Sequence, residues 1–250
     1  MLYICIPARN DARTVGLLLW KIRQVFGEYS REYHLLVADD ASEDDTSDVL
    51  DRYQHALPMK VINHSERLGH AATVEELLTH ALQTSDRLKR DCAVTFPADF
   101  SVSPAVLPDI IKRFESGADV VVAESIGAEP TRLGRLIRHA AGWLLRPGLK
   151  LDGVSDPLTA VCAVRLVTLR KAMRGRTGRF LETENRLANA ELLARTAAAA
   201  RQIAVLPVSD EHLRPDAVHG RTSLGTAVDL YRAGRQLEIP EPGAAIQRVS

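Results

Sequence analysis

The chain has 250 residues, of which 46% are hydrophobic and 26% charged, and its 32 basic and 32 acidic side chains cancel to a formal net charge of zero. That length buries one large core, or one core with a small appendage, and the composition is that of a soluble globular protein. The charge balance argues against nucleic acid as the partner, because binding a phosphate backbone takes a net basic face.

In chain order, residues 2–6 are a strand-like apolar run and residues 14–26 carry a helical apolar stripe through Val15, Leu18, Leu19, Ile22, Val25 and Phe26. Residues 34–38 are a second strand, 46–55 a helix closed off by Pro58, 59–62 a third strand, and 71–83 a helix with Val74, Leu77, Leu78 and Ala81 on one face. A fourth strand over 92–96, a helix over 104–115 with Pro in its first turn, and a fifth strand over 120–123 complete the regular half. Such repeats predict an α/β fold with a mostly parallel central sheet and helices on both faces.

The second half is less regular. It reads as a helix over 131–145 with Arg132, Arg135, Arg138 and His139, a strand over 159–164, a helix over 167–173, a long helix over 184–200 and a strand over 203–208. A short helix near 226–236 and a loose tail follow. Glu182, Glu184 and Glu191 read as helix-surface charge, and Trp20 and Trp143 as packing residues. Cys5, Cys92 and Cys162 sit in apolar runs without ligand spacing and read as reduced, buried small hydrophobes. No leader with a cleavage site is present and no apolar segment is long enough to span a bilayer, so a cytoplasmic protein is expected, soluble or held peripherally at the inner face of a membrane.

Polar residues cluster where strands end. They are Pro7-Ala8-Arg9-Asn10-Asp11, then Asp39-Asp40, then Arg67-Leu68-Gly69-His70-Ala71, then Pro97-Ala98-Asp99-Phe100-Ser101. In a parallel sheet all of these share one edge, the edge at which open α/β sheets bind ligands. Each has a plainer reading: Asn10 and Asp11 as a helix cap, Ser42 with Asp45 as a capping pair, Gly69 as a turn, Asp99 capping toward Ser101, and Ser155-Asp156-Pro157 as a turn. The first βα turn has no glycine between Pro7 and Thr14, so Rossmann and P-loop chemistry is not expected, nor is a nucleotidyltransferase with a Gly-rich basic first loop. No nucleophile elbow and no His-Glu-x-x-His helix occurs. A carboxylate-lined edge that holds a hard cation on oxygen ligands suits a nucleoside diphosphate.

At this point the chain resembles the family-2 glycosyltransferases of GT-A fold, and within them the dolichol- and polyprenyl-phosphate sugar synthases. Pro7-Ala8-Arg9-Asn10-Asp11 resembles the opening Pro-x-x-Asn-Glu, and Asp39-Asp40-Ala41-Ser42-Glu43-Asp44-Asp45-Thr46 the Asp-Asp-x-Ser-x-Asp-x-Thr signature. Asn63 with Arg67 to Ala71 resembles the Asn…Gly-x-x-x-Ala stretch, and Phe96-Pro97-Ala98-Asp99 stands in the place of the Asp-x-Asp metal motif. Asp156-Pro157-Leu158-Thr159-Ala160 is similar to Asp-Pro-x-Ser-Gly, and Arg214 through Gly220-Arg221-Thr222-Ser223 to a closing Arg…Gly-x-Ser.

The resemblance implies one GT-A domain over 1–224, with a nucleotide-binding half over 1–125 and an acceptor-side half over 126–224, followed by a C-terminal helix and tail over 225–250. It implies that Pro7, Ala8, Asp11, Asp39, Asp40, Arg67 and Ala98 line the nucleotide pocket and that Asp99 binds Mg2+ or Mn2+. It implies Asp156 as base or orienting carboxylate, Arg214 and Arg221 on the donor phosphates, and Arg132 and Arg135 on an acceptor phosphate. The implied reaction is inverting transfer from a UDP- or GDP-sugar to a polyprenyl phosphate or a small soluble acceptor, with peripheral membrane contact and a homo-oligomer left open. Pro97 replaces the first acid of the metal motif, Ser101 stands where that branch places Gln, and Ala160 replaces Gly. Pro97 motivates the alternative of a relative that binds nucleotide without turnover.

Overall fold

The computed structural model describes residues 1–124, 154–175, 178–208 and 245–248, together with positions 136, 212, 228 and 232. The elements are β1 (Leu2–Ala8), α1 (Val15–Glu28), β2 (Tyr33–Asp39), α2 (Thr46–Gln54), β3 (Met59–Asn63), α3 (His70–Thr84), β4 (Cys92–Thr95), a 3-10 turn (Pro104–Val106) running into α4 (Leu107–Glu115), β5 (Val120–Glu124), β6 (Val161–Arg165), α5 (Leu166–Met173), α6 (Arg186–Ala199), β7 (Gln202–Pro207) and β8 (Ala245–Arg248). Apart from position 136, the helix expected over 131–145, with Arg132 and Arg135, lies outside the described residues; so do Arg214 and Arg221 and, apart from positions 228 and 232, the helix expected near 226–236. Within the stretch read as a loose tail, Ala245–Arg248 pairs in parallel with β7.

The strands form one sheet in the order β3-β2-β1-β4-β6-β5-β7-β8. All neighbours run parallel except β6, which is antiparallel to both β4 and β5. Strand periodicity explains the layering. Leu2, Ile4 and Ile6 of β1 face one cluster, packed with Leu18, Leu19 and Ile22 of α1, Leu50 of α2 and Ile110 of α4. Tyr3 and Cys5 face the opposite cluster, with Leu77 and Leu78 of α3, Leu166 and Leu169 of α5 and Leu192 of α6. Both faces of the sheet are therefore covered, as the runs of Val, Ile and Leu in its strands require.

Because β6 runs backwards, the residues before it lie on the same edge as the residues after β4 and β5. Thr95 pairs with Cys162, and Ala123 with Val161. The edge thus collects the ends of β1, β2, β3, β4 and β5 and the segment leading into β6. No helix among the described residues is long and apolar enough to cross a membrane.

Candidate functional site

The loops after β1 and β2 are stitched to each other. Asn10, at φ +56°, donates its N–H to Ser42 Oγ at 2.9 Å, and its Oδ1 accepts from Glu43 N–H at 2.8 Å. Asp11 N–H donates to Thr46 Oγ1 at 2.9 Å, and Ala12 N–H to Asp44 Oδ2 at 3.1 Å. Asp44 Oδ1 also takes the N–H of Thr46, the first residue of α2, at 3.0 Å. The expected Ser42–Asp45 capping pair does not form: Asp44 holds the start of α2, and Ser42 is committed to Asn10 and Asp39. Nor does the Asp11 carboxylate cap α1; its backbone carbonyl accepts from Thr14 and Val15, while its side chain turns back to Arg9 N–H at 2.9 Å.

Asp39 is buried, and its Oδ1 accepts from both the N–H and the hydroxyl of Ser42. Among the described residues neither Asp39 nor Asp11 has an ion-pair partner. The opposite edge behaves differently: there Asp119 is closed by Arg201 at 3.0 Å and Arg165 at 3.6 Å. Burial, joined by the charges of Asp99, Asp44 and Asp39 and opposed by the Arg9 N–H, pushes Asp11 up to about 6. Asp99, from the loop after β4, and Asp44 and Asp39, from the end of β2 and the loop after it, thus lie near enough to act on Asp11 across this edge.

That shift has a testable sign. With the folded value above the unfolded one, Asp11 stabilises the fold below the ordinary carboxylate range, and the benefit is lost as pH rises through about 6. Asp11→Asn keeps an acceptor for Arg9 N–H but carries no charge. Without nucleotide or metal it is expected to melt higher than wild type at pH 7.5, by a margin that shrinks as pH falls through the range between about 6 and the ordinary carboxylate value, in thermal scans followed by circular dichroism. A lower melting temperature at pH 7.5 would contradict the reading.

Asp40 is also buried, but its role is visible: Oδ1 accepts from Leu68 N–H at 2.7 Å and meets His64 Nδ1 at 3.0 Å, and Oδ2 accepts from Gly69 N–H at 3.0 Å. Burial opposes its ionisation, yet these donors hold it below the usual carboxylate range. Gly69 sits at φ +93°, a conformation that favours glycine, and a Cβ there would lie 3.0 Å from the Glu184 carboxylate, whose side chain would have to give way. Arg67 is exposed, Pro7 half-buried and Ala8 and Ala98 buried on the same edge.

Asp99 Oδ1 accepts Ser101 N–H at 2.9 Å, so the capping contact read from sequence is present. Phe100 between them is at φ +57°, a costly conformation for an aromatic residue. Ser101 Oγ and Arg9 Nη1 are buried without a hydrogen-bond partner among the described residues. The backbone carbonyl of His212 accepts Ser103 N–H at 2.7 Å, which brings the chain two residues ahead of Arg214 against this loop. Among the described residues no group of three His, Cys, Asp or Glu side chains is close enough to hold a metal alone. Asp99 offers one carboxylate, and a hard cation held there would take its remaining ligands from substrate oxygens and water.

Asp156 is buried and accepts Leu158 N–H at 3.3 Å. Its segment is held by Glu124, which accepts from the N–H groups of Ser155 (2.5 Å) and Asp156 (3.1 Å). Sequence reasoning passed over Glu124, although an acid closing an apolar strand was the pattern that singled out Asp39. It also misread Glu191, which is fully buried on α6, and Trp20, which is 47% exposed on α1.

The Glycosyl transferase family 2 model matches residues 3–173. An undecaprenyl-phosphate 4-deoxy-4-formamido-L-arabinose transferase of Pseudomonas syringae is 24% identical over 120 residues, 47% of this chain and 34% of that protein. The chain thus spans about a third of the length of this curated relative. Glucosyl-3-phosphoglycerate synthase from Mycobacterium tuberculosis, in complex with UDP, superposes with a TM-score of 0.64 at 18% identity, covering 97% of this chain and 82% of that one. A mannosyltransferase from Pyrobaculum calidifontis, in complex with GDP-Man and Mn2+, gives 0.58 at 18% identity, covering 88% and 57%.

Proposed function

The chain belongs to glycosyl transferase family 2, and from that premise we propose that it moves a sugar from a UDP- or GDP-sugar to an acceptor with inversion at the anomeric carbon. The observation that carries the donor assignment is the pair Asp11 and Asp39, without an ion-pair partner among the described residues and beside Asp99, an edge that attracts hydrogen-bond donors and a cation. Asp39 and Asp11 receive the donors of the base and ribose, in a corner that Asp40 keeps in shape. Pro7, Ala8, Ala98 and Arg67 line the same corner.

Asp99, with oxygens of the donor diphosphate, would hold Mg2+ or Mn2+, which when bound neutralises the departing diphosphate. The acceptor oxygen bonds to the anomeric carbon as the bond from that carbon to the phosphate oxygen breaks. A hydroxyl acceptor passes its proton to a base, and Asp156, fixed through Glu124, is the candidate. A phosphate acceptor needs no strong base, and positioning then falls to arginines, with Arg132 and Arg135 assigned to the acceptor and Arg214 and Arg221 to the donor phosphates. A polyprenyl phosphate is the first acceptor to test and a small soluble molecule the second.

Pro97 favours one other reading, a protein that binds nucleotide without turnover. The decisive assay is nucleoside diphosphate release from UDP- and GDP-sugars with Mn2+ and either acceptor class; donor binding without release selects the second reading. Asp39→Ala is expected to weaken nucleotide binding by about 1–3 kcal/mol, the cost of stranding a buried donor group. Unchanged affinity by calorimetry would remove the base pocket from this edge.

A further inference from the structure

We propose that His64, through Asp40, is a positioning residue for the donor, an inference that rests on placing the nucleotide at the Asp39–Asp40 corner. His64 follows β3, and its ring is 7% exposed. Nδ1 lies 3.0 Å from Asp40 Oδ1 and Nε2 lies 2.7 Å from Glu76 Oε2 of α3. Its backbone N–H donates to the carbonyl of Asp39 at 3.0 Å. One side chain therefore ties the end of β2, the end of β3 and the second turn of α3 together.

An ionised carboxylate only accepts hydrogen bonds, and a neutral imidazole has a single N–H. Carboxylates at both ring nitrogens are satisfied together only when the ring carries two protons. The bridge is thus built for an imidazolium, and burial of the ring, which opposes the charge, is outweighed by Asp40 and Glu76, so that protonation persists above the usual histidine range. The sign follows from linkage: the clamp is complete below the ordinary value and is lost as pH rises through the higher folded value.

Loss of the second proton has an unequal effect on the two contacts. Asp40 is anchored by the Leu68 and Gly69 N–H groups, whereas the Glu76 side chain is 43% exposed and free to rotate into solvent. The neutral ring keeps Asp40 and releases Glu76, so α3 is left held to this corner only by the Leu68 and Gly69 amides on Asp40, and that turn loosens. Among the described residues, Asp40 and Glu76 are the charged groups that act on the ring; Asp40 also acts on His70, beside Glu184, and Glu76 on His80, beside Lys60. Burial, partly offset by Asn189, Glu184 and Asp40, keeps His70 below the ordinary histidine value. His80 is lowered by burial and by Lys60, so both are neutral where His64 titrates.

The test uses the full chain and two variants, His64→Gln and Glu76→Gln. Hydrogen exchange at the Leu68 and Gly69 amides and calorimetric affinity for UDP and GDP with Mn2+ are followed from pH 6 to 9. In wild type, protection (corrected for intrinsic exchange) should fall through one titration, and affinity should fall with it above the range near 6 in which Asp11 itself ionises. His64→Gln should flatten both curves, with nucleotide about tenfold weaker at pH 6, the loss of one charge-assisted hydrogen bond. Glu76→Gln should move the midpoint down toward the ordinary histidine value. Variants that keep the wild-type curves overturn the inference while nucleotide binding stands. A wild type that binds neither nucleotide at any pH overturns the donor reading, and the exchange curves still decide whether His64 orders the Leu68–Gly69 turn.

Discussion

Asp99→Asn is expected to lower metal-dependent release of nucleoside diphosphate by about a hundredfold or more, the scale on which Lewis-acid stabilisation of a leaving group acts. The substitution is chosen to spare the loop. Asn Oδ1 still accepts the Ser101 N–H that Asp99 takes at 2.9 Å, so the turn through Phe100 is retained and only the charge goes. The effect should be steep because Pro97 leaves Asp99 as the single acid of its motif, and the cation then depends on it and on substrate oxygens. A second readout follows from electrostatics: Asp99 is one of the charges that raises Asp11, so in the variant Asp11 titrates lower. Turnover measured against Mn2+ concentration, beside the Asp11 titration by carboxyl NMR, separates the two. Full activity with unchanged metal dependence would move the cation to another residue.

Glu191→Ala should destabilise the fold by about 3–5 kcal/mol, the cost of stranding a buried charge, read as a shift in the urea midpoint. Glu191 is fully buried and Arg195 nearly so. Glu191 Oε1 takes the Arg195 Nε–H at 2.7 Å, and its Oε2 takes the N–H groups of Glu182 (2.9 Å) and Thr183 (2.8 Å) and the Thr183 hydroxyl (2.8 Å). Alanine leaves the guanidinium with Glu182 at 3.1 Å as its remaining acid and frees one end of the segment before α6. The other end stays on Glu75 of α3, which accepts from Phe180 and Leu181 N–H groups at 2.9 and 3.1 Å. Glu191→Gln, which keeps an acceptor of the same shape, should cost less. Against a typical total of about 5–15 kcal/mol, the alanine variant approaches the threshold of folding. A loss within about 0.5 kcal/mol, the range of exposed substitutions, would return Glu191 to the surface role read from sequence.

The first half of the fold was legible because strand ends announce themselves. Short apolar runs stop at Asp39, at Asn63 and before Pro97, and parallel pairing carries those stops to one edge. The edge proposed for the donor could be named from them, and the family signature narrowed the chemistry. Part of that signature has a structural use that spacing does not reveal: Ser42, Asp44 and Thr46 stitch two loops and present Asp39. The antiparallel entry of β6 was not legible, because an apolar run carries no direction. Glu191 was misread because α6 is buried on every side from Ala188 to Ala197, so no polar stripe marks an exposed face. Its Ala-rich sequence lets neighbours approach closely, and its charges neutralise each other four residues apart. His64 gave no signal in sequence because its meaning lies in Glu76, twelve positions away on another element.

The grip of Glu124 on Ser155 and Asp156 fastens together the two ends of the intervening stretch. The registers of β5 and β6 are thus secured by residues outside that stretch. The loops after β1 and β2 are secured in another way, sewn to each other residue by residue. Cutting one stitch there displaces a neighbouring loop as well as its own, so substitutions at Asn10, Ser42, Asp44 and Thr46 are expected to be felt on both sides of the seam.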